Sequence, residues 1–477
     1  MTLSYSTKIG LEIHCQLTCL RSKLFCSCHC DYREYRPNEN ICPTCTGLPG
    51  TLPLINQTAI EKAAMICMAL RCTIPNNILF YRKNYFYLDL PKNFQLTQYN
   101  AHGITSIGVS GLLGYGQREA RIRRVQLEED PGRLSYMNGS SGSLIDYNRA
   151  GVPLVQIVTE PDFHDPKDVR MSLNKLASLV EHLGVCDTSL EGSVRCDANI
   201  SIGSSKRVEI KNVSSFRDVE KALKFEMTRQ KAMLNYEMKV KGETRHWDEQ
   251  RKITKQSRTK EEEQDYRYFH EPDIPSILID EDYLKELQSR MPELPDERKE
   301  RFINNYKLTE HVSNVLIEHK DLADYFEESV KIYFAPKEIS NLIVTDLLSY
   351  ADDSSKKFGS TISNMKITSG QLAEIARMIN EGIINRKTAK EILYEAIGSG
   401  KLIVSGENVT SFRKIDDEDQ ILRSIENVFA KESMAVLDAK KNPNVSNYLL
   451  GKVMEFTKGR VDPARALNLI NKKLLEY

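Results

Sequence analysis

No apolar run in these 477 residues approaches the roughly 20 that span a bilayer. The opening decapeptide, MTLSYSTKIG, lacks the apolar core of a secretory signal. Together the two absences predict a cytoplasmic protein with no membrane partner. Net charge is missing as well. The 66 Lys and Arg residues balance 66 Asp and Glu, so no global basic field recruits nucleic acid, and any such partner must be held by local patches. Fixed-period repeats and low-complexity stretches are absent. Neither G-x-x-x-x-G-K-[ST] nor a G-x-G-x-x-G leading into a helix occurs, which excludes the two common glycine loops as nucleotide binders.

What is present has the composition of a soluble globular chain, long enough for roughly two to four domains. Its character changes at MPELPDER, around Pro292–Pro295. Before that point it is rich in glycine and in short alternating runs (SIGVSGLLGYG, RIRRVQLEED, ANISIG, RVEIKNV), which predict a large sheet. A few helices interrupt this sheet, such as DPKDVRMSLNKLASLVEHLG, with Asp165 as cap and Gly184 as stop. Beyond the break the apolar spacing is helical, with TSGQLAEIARMINEGIINRKTAKEILYEAIGSG reading as two helices around Gly382. A polar stretch near SGENVTSFRKIDDEDQ predicts a second linker, and a small helical bundle follows it. The expected class is α+β, in three domains: 1–292, 293–408 and 409–477.

In a reducing compartment, clustered cysteines read as metal ligands before they read as disulfides. Five of the 11 cysteines lie in FCSCHCDYREYRPNENICPTC: Cys26, Cys28, Cys30, Cys42 and Cys45. A C-x-C pair followed by C-x-x-C suits a closed, structural, tetrahedral Zn²⁺ site. Cys26, Cys42 and Cys45 contribute three thiolates; Cys28 or Cys30 closes the set, with Cys28 preferred. Cys15, Cys19, Cys67, Cys72, Cys186 and Cys196 read as scattered thiols.

The stretch IGLEIHCQL alternates strictly, so Ile9, Leu11, Ile13 and Cys15 face a core while Glu12, His14 and Gln16 share the other face. Three consecutive carboxylates, Glu128, Glu129 and Asp130, precede a Pro131-Gly132 turn; such a run is either a solvated turn or a divalent-cation site. DYNRAGVPLVQIVTEPDF adds Arg149 and Gln156, and LEGSVRCDANISIG adds Glu191 and, on one strand face, Arg195, Asp197 and Asn199. Hard oxygen ligands with a single histidine suit Mg²⁺, which bridges to phosphates. In YRKNYFYLDLPKNFQ, Arg82, Lys83 and Lys92 are interleaved with Tyr85, Phe86, Tyr87 and Phe94, a pattern able to hold a phosphorylated, base-bearing substrate.

Taken in order, these stretches resemble one family, the B subunits (GatB) of the glutamyl/aspartyl-tRNA amidotransferase complex GatCAB. The matching segments are IGLEIHCQL, CPTCTGLPGTLPLIN, RKNYFYLDLPKNFQLTQYN, LEEDPGR, DYNRAGVPLVQIVTEPDF, EGSVRCDANISI, VEIKNVSSF, TRHWDE, DYRYFHEPDIP and MPELPDERKERF, and the likeness runs over essentially the whole chain. It implies an antiparallel-sheet catalytic cradle, then an all-α domain, then a small tail of the YqeY type. The paralogue GatE carries an inserted domain and is longer, so this chain resembles the B form.

The resemblance further implies a ligase that uses ATP and Mg²⁺ to phosphorylate the side-chain carboxylate of a misacylated Glu-tRNA(Gln) or Asp-tRNA(Asn). Ammonia from a glutaminase A subunit then displaces phosphate. No glutaminase signature occurs in this chain, which fits a complex with A and C subunits. Glu12, His14 and Glu129 are the implied Mg²⁺ ligands, and Glu12, His14, Glu128 and Glu129 the implied catalytic set. Asp130 is a further carboxylate beside them. Arg82, Lys83, Asn84, Tyr85 and Tyr87 would line the nucleotide and tRNA 3′ end; Arg149, Glu191, Arg195, Asp197, Asn199 and Lys211 would complete the cradle, with Asp265–Tyr268 as a polar edge. The chain departs from the family pattern at Gln126 (often His), Gln156 (often Glu) and Ser214 (often Asn). Lys440, Lys441, Lys452, Lys458, Arg460, Arg465, Lys472 and Lys473 give the tail a basic face for tRNA. The competing reading is a non-catalytic, zinc-containing tRNA-binding assembly subunit.

Overall fold

The computed structural model describes residues 5–100, 103–136, 142–211, 213, 215–259, 265–353, 366–400, 414–439, 445–457 and 459–476. Contacts divide the chain into two units, 1–298 and 299–477. The first is built from strands β1 (Thr7–Gln16), β2 (Asn77–Ile78), β3 (Tyr81–Asn84), β4 (Phe94–Thr97), β5 (Gly108–Tyr115), β6 (Arg118–Glu129), β7 (Arg133–Tyr136) and β8 (Ser143–Asp146), followed by β9 (Pro153–Thr159), β10 (Val194–Ile202), β11 (Val208–Lys211), β12 (Glu243–Asp248), β13 (Ile253–Thr259), β14 (Phe269–His270) and β15 (Ile277–Leu278).

Eight of these strands form one sheet in the order β13-β12-β11-β10-β1-β9-β6-β5. Neighbours are antiparallel except β11 and β12, which run parallel. A parallel pair requires a crossover, and helix α3 (Phe216–Asn235) supplies it. Three short sheets stand beside the main one, pairing β14-β3-β4, β15-β2 and β7-β8.

The alternation of β1 sets the two faces. Ile9, Leu11, Ile13 and Cys15 are 0–2% exposed. They join one apolar cluster with residues of helices α1 (Gln57–Ala69), α2 (Pro166–His182) and α3, which cover this face of the sheet. Helix α2 starts and stops as its sequence predicts: the Asp165 side chain accepts from Lys167 N, Pro166 opens the first turn, and Gly184 leaves with φ +64°. Ser215 caps α3 by accepting from Asp218 N. With the apolar face covered, the polar face of β1 is left to carry chemistry.

The second unit is helical. Helices Glu310–Leu316, Lys320–Ile332, Ser369–Asn380 and Arg386–Ser399 enclose one apolar cluster, and Ser369–Asn380 begins with a reciprocal capping box between Thr368 and Gln371. Helices Glu418–Lys431, Ser433–Ala439, Val445–Phe456 and Pro463–Glu476 enclose a separate one. A π-helical turn at Leu342–Leu347 was not foreshadowed by the apolar spacing. The expected boundary at 408/409 falls outside the described residues, as do Ser214, Lys440, Lys441 and Lys458. Among the described residues no helix is long and apolar enough to cross a membrane.

Candidate functional site

Strand register decides which polar side chains meet. Glu12 stands opposite Asp197 of β10, and His14 opposite Arg195. On the other side His14 stands opposite Gln156 of β9, which in turn faces Gln126 of β6. Cross-strand partners share a face, so the polar row runs unbroken across four central strands. A cavity of about 350 Å³ opens on it, lined by Glu12, His14, Lys83, Tyr85, Gln95, Glu128, Asp130, Gln156, Arg195, Asp197 and Lys211 among others.

Its centre is a carboxylate–imidazole cluster. His14 Nε2 lies 3.6 Å from Glu128 Oε1 and 3.9 Å from Glu12 Oε1. The Gln156 amide donates to Glu12 and stands 3.3 Å from His14 Nε2. Burial, reinforced by the Arg195 cation, pulls the imidazole down to about 4, so the ring is neutral at physiological pH and keeps a lone pair for a ligand. Burial pushes Glu128 up to about 7, opposed by Lys83 and by a 3.0 Å hydrogen bond from Thr97 Oγ1. One neutral nitrogen and two carboxylates are donor types suited to a hard divalent ion, although the two carboxylates meet only through His14 and the three do not close into a tight ligand set among the described residues. Lys211 Nζ, 2.7 Å from Asp197 and 3.6 Å from Glu209, and Arg195 bring positive charge to the rim, where an anionic substrate would be neutralised.

Asp130 holds this architecture together. Its fully buried carboxylate accepts from Arg195 Nη2 at 2.8 Å and from Gln16 Nε2 at 2.9 Å, with Arg149 Nε at 3.7 Å. Gln16 also accepts from Arg33 at 2.9 Å. The third polar residue of β1 is thus a strut between the strand and the acidic turn.

Several expected site residues do not reach the cavity. Glu128 and Glu129 are adjacent on β6 and so point to opposite faces. The Glu129 carboxylate instead pairs with Lys92 Nζ at 2.6 Å and accepts from Leu96 N at 2.8 Å. The expected metal set of Glu12, His14 and Glu129 is therefore not assembled, and Glu128 stands in the place given to Glu129. The same alternation separates β3: Lys83 and Tyr85 line the cavity, while Arg82 turns away into a bidentate pair with buried Glu271 at 2.6 and 2.7 Å. Asn84 donates to Arg267 O at 2.7 Å and so ties down the Asp265–Tyr268 segment. Tyr87 is half exposed, and Glu191 is exposed. Arg149 donates to the carbonyls of Pro131 and Gly132 at 2.9 and 2.8 Å, clamping the turn. Asn199 sits opposite Gly10, its Oδ1 buried and unpartnered among the described residues. Gln95 and Glu271 were not foreseen, and Lys92, expected beside Arg82 and Lys83 at the substrate, is instead paired with Glu129; alternation within RKNYFY and LEED was the available signal for the side each neighbour takes. Tyr266 closes the wall above Lys83, its ring 4.8 Å from Nζ, and Tyr99 stacks on Tyr268 at 3.9 Å.

A second cluster lies in the Cys26–Cys45 loop. The sulfurs of Cys26, Cys28, Cys42 and Cys45 all lie within 4.8 Å of one another. Tetrahedral thiolates about 2.3 Å from Zn²⁺ are separated by roughly 3.8 Å, so the set fits that ion. Cys30 is buried apart, its thiol directed at Leu17 O, 3.6 Å away. The Cys42 N–H points at Cys45 Sγ at 3.2 Å. Fully buried Lys23 places Nζ 3.9 Å from Cys45 Sγ and 2.9 Å from Asn40 O. A hydrogen bond from the Cys26 thiol, with Lys23 nearby, pulls the Cys45 thiol down to about 5, and burial pushes Cys28 up to about 12.

The family described as "GatB/GatE catalytic domain" matches residues 7–285, and that described as "GatB domain" matches 324–474. The chain is 44% identical to the B subunit of the aspartyl/glutamyl-tRNA(Asn/Gln) amidotransferase of Sulfurisphaera tokodaii, over 98% of this chain and 99% of the relative. Identity is 43% to the corresponding protein of Sulfolobus acidocaldarius, which bears the same name, over 98% and 99%. It is 42% to that of Thermotoga maritima, over 99% and 100%.

Proposed function

Since the chain belongs to the GatB/GatE family, we propose that it is the B subunit of a glutamine-dependent aspartyl/glutamyl-tRNA amidotransferase and that its cradle activates the misacylated amino acid. The observation that carries this reading is the partly buried Glu12–His14–Glu128 cluster with Lys83, Arg195 and Lys211 around it. A carboxylate is a poor electrophile until one oxygen becomes a leaving group. The γ-phosphoryl of ATP passes to the side-chain carboxylate of Glu-tRNA(Gln) or Asp-tRNA(Asn), giving an acyl phosphate and ADP. Ammonia attacks the acyl carbon, phosphate leaves with the bonding electron pair, and a proton is lost to give the amide.

Both negative partners must be held side by side, and here the residues divide the work. Lys83, Arg195 and Lys211 neutralise phosphate and carboxylate oxygens, and the Tyr85–Tyr266 wall excludes water from the acyl phosphate. Glu12, neutral His14 and Glu128 would hold Mg²⁺, with Glu129 positioned behind them by Lys92. Mg²⁺, when bound, supplies charge neutralisation between the phosphates and the attacking carboxylate. The thiolates of Cys26, Cys28, Cys42 and Cys45 would hold a structural Zn²⁺. Arg82, Asn84, Tyr87, Arg149, Glu191 and Asn199 serve by supporting the walls and the substrate approach. The A and C subunits and tRNA complete the assembly, the compartment is the cytoplasm, and the three domains are 1–292, 293–408 and 409–477.

The test is reconstitution with A and C subunits. Misacylated tRNA should trigger release of ADP and phosphate, and mass spectrometry of the aminoacyl group should show Gln or Asn. Tight tRNA binding with no ADP would instead favour a non-catalytic assembly subunit.

A further inference from the structure

Among the described residues of this neutral protein, many basic side chains hold a carboxylate. Along α3, Lys221 pairs with Asp218 at 3.0 Å, Lys224 with Glu220, and Arg229 with Glu226 at 2.6 Å. In the tail, Lys452 pairs with Glu455, Arg465 with Glu418, and Lys473 with Glu426 and Glu476, so much of its basic face is internally neutralised. Just past the end of α3 several cations stand close together without such a partner. Lys206, Arg207, Lys239 and Lys241 are exposed and hold no carboxylate among the described residues.

The three lysines share an open groove of about 730 Å³, between the β10–β11 turn and the Glu237–Gly242 segment leading into β12. Lys206, Lys239 and Lys241 line it, with Leu234 and buried Val240 as an apolar floor. Gly242 brings the two walls together: a Cβ there would meet the Lys206 stem at 3.7 Å, so the lysine lies along the glycine. The opposing negative charge is Glu237 and the C-terminus of α3, the latter worth roughly half a charge. That leaves an excess of roughly one and a half positive charges. Lysine presents a mobile point charge suited to phosphate oxygens. The groove also connects to the cavity by one chain segment, since Lys206 precedes the cavity residue Lys211 by roughly 17 Å of extended backbone.

We propose that this groove is a phosphodiester-binding surface that carries the RNA strand of the tRNA substrate beyond the activation cavity. It rests on the reading that tRNA is the substrate. An acidic protein partner is the alternative occupant; three mobile lysines facing a single carboxylate favour a polyanion of repeating phosphates over a surface of scattered carboxylates.

The experiment titrates a fluorescent deacylated tRNA transcript into the complex with its A and C subunits, across a salt series. Each phosphate contact contributes roughly 0.7–0.9 to the slope of log affinity against log salt. The triple variant Lys206→Glu/Lys239→Glu/Lys241→Glu should lower that slope by about two and weaken binding at low salt at least tenfold. The corresponding Lys→Arg triple should keep both, and turnover at saturating tRNA should hold. Unchanged slope and affinity in the Glu triple would overturn the proposal while leaving the activation site intact. So would dissociation of the complex with unchanged tRNA binding per chain, which marks a protein-docking groove. Absence of tRNA binding by the unmodified complex would overturn the functional reading itself.

Discussion

Replacing Gln156 with glutamate probes the cavity at its most informative point. The Gln156 amide now donates to Glu12 and stands 3.3 Å from His14 Nε2, between two expected cation ligands. Gln156→Glu removes the donor and sets a second negative charge beside Glu12. Two such charges about 4 Å apart repel by about 4 kcal/mol at an effective dielectric near 20. Glu12 is 29% exposed, so solvent screening should cut this to about 2 kcal/mol. For a unit of this size the melting temperature falls about 2–4 °C per kcal/mol, so the metal-free variant should melt about 4–8 °C lower. A divalent cation reverses the effect, because the added carboxylate becomes a ligand. Millimolar Mg²⁺ should restore most of the loss, and calorimetric titration should show about tenfold tighter Mg²⁺ binding than in the unmodified chain. Differential scanning calorimetry with and without Mg²⁺ measures both arms. A variant that melts like the parent without metal and binds Mg²⁺ no better would refute the placement of Gln156 at a cation site.

Asp130→Asn leaves Arg195 without its charge partner and should cost about 3 kcal/mol in urea unfolding; a loss under 1 kcal/mol would show that Gln16 and Arg149 suffice without it. Cys42→Ser, or prolonged chelation, should remove one equivalent of zinc and lower the melting temperature; a protein with no zinc at the outset, or with unchanged stability after its loss, would contradict the thiolate site. The cavity also sets two opposed pH responses. His14 titrates near 4 when folded and near 6.5 unfolded, so its contribution is lost on acidification through that window; Glu128 titrates near 7 folded and 4.5 unfolded, so its contribution is lost as pH rises between them. Glu128→Gln should therefore steepen the acid loss of stability and flatten the rise-side loss in metal-free melts at pH 5–8, and identical pH profiles for variant and parent would refute the assignment.

The strand period made the faces of the cradle legible before any contact was known. IGLEIHCQL separates core from site by alternation alone, and the cap at Asp165 marks a helix start where the chain places it, while of Thr368 and Ser369, both open to the sequence, Thr368 is the cap. What the period leaves open is which face of one strand meets which face of another. Glu128 and Glu129 must diverge, but only the register of β6 on β9 and of β9 on β1 sends Glu128 toward His14. Arg82 and Lys83 divide the same way, and a partner 189 residues away, Glu271, decides which is structural. The Cys28–Cys30 alternative has no local answer, because the irregular loop carries no period. It is resolved by packing of Cys30 toward Leu17. The parallel β11–β12 pair was not read from the sequence, which pointed to an antiparallel sheet; the helix between the two strands supplies the crossover that a parallel pair needs.

The central claim is that Glu12, His14 and Glu128 activate the tRNA-borne carboxylate. The most direct measurement is single-turnover ADP formation by the reconstituted complex with misacylated tRNA, comparing the parent with Glu12→Gln and Glu128→Gln. The account predicts that both variants lose at least a hundredfold in ADP formation, retain tRNA binding and leave glutamine hydrolysis by the A subunit competent. ADP formation at the parental rate in both variants would contradict it.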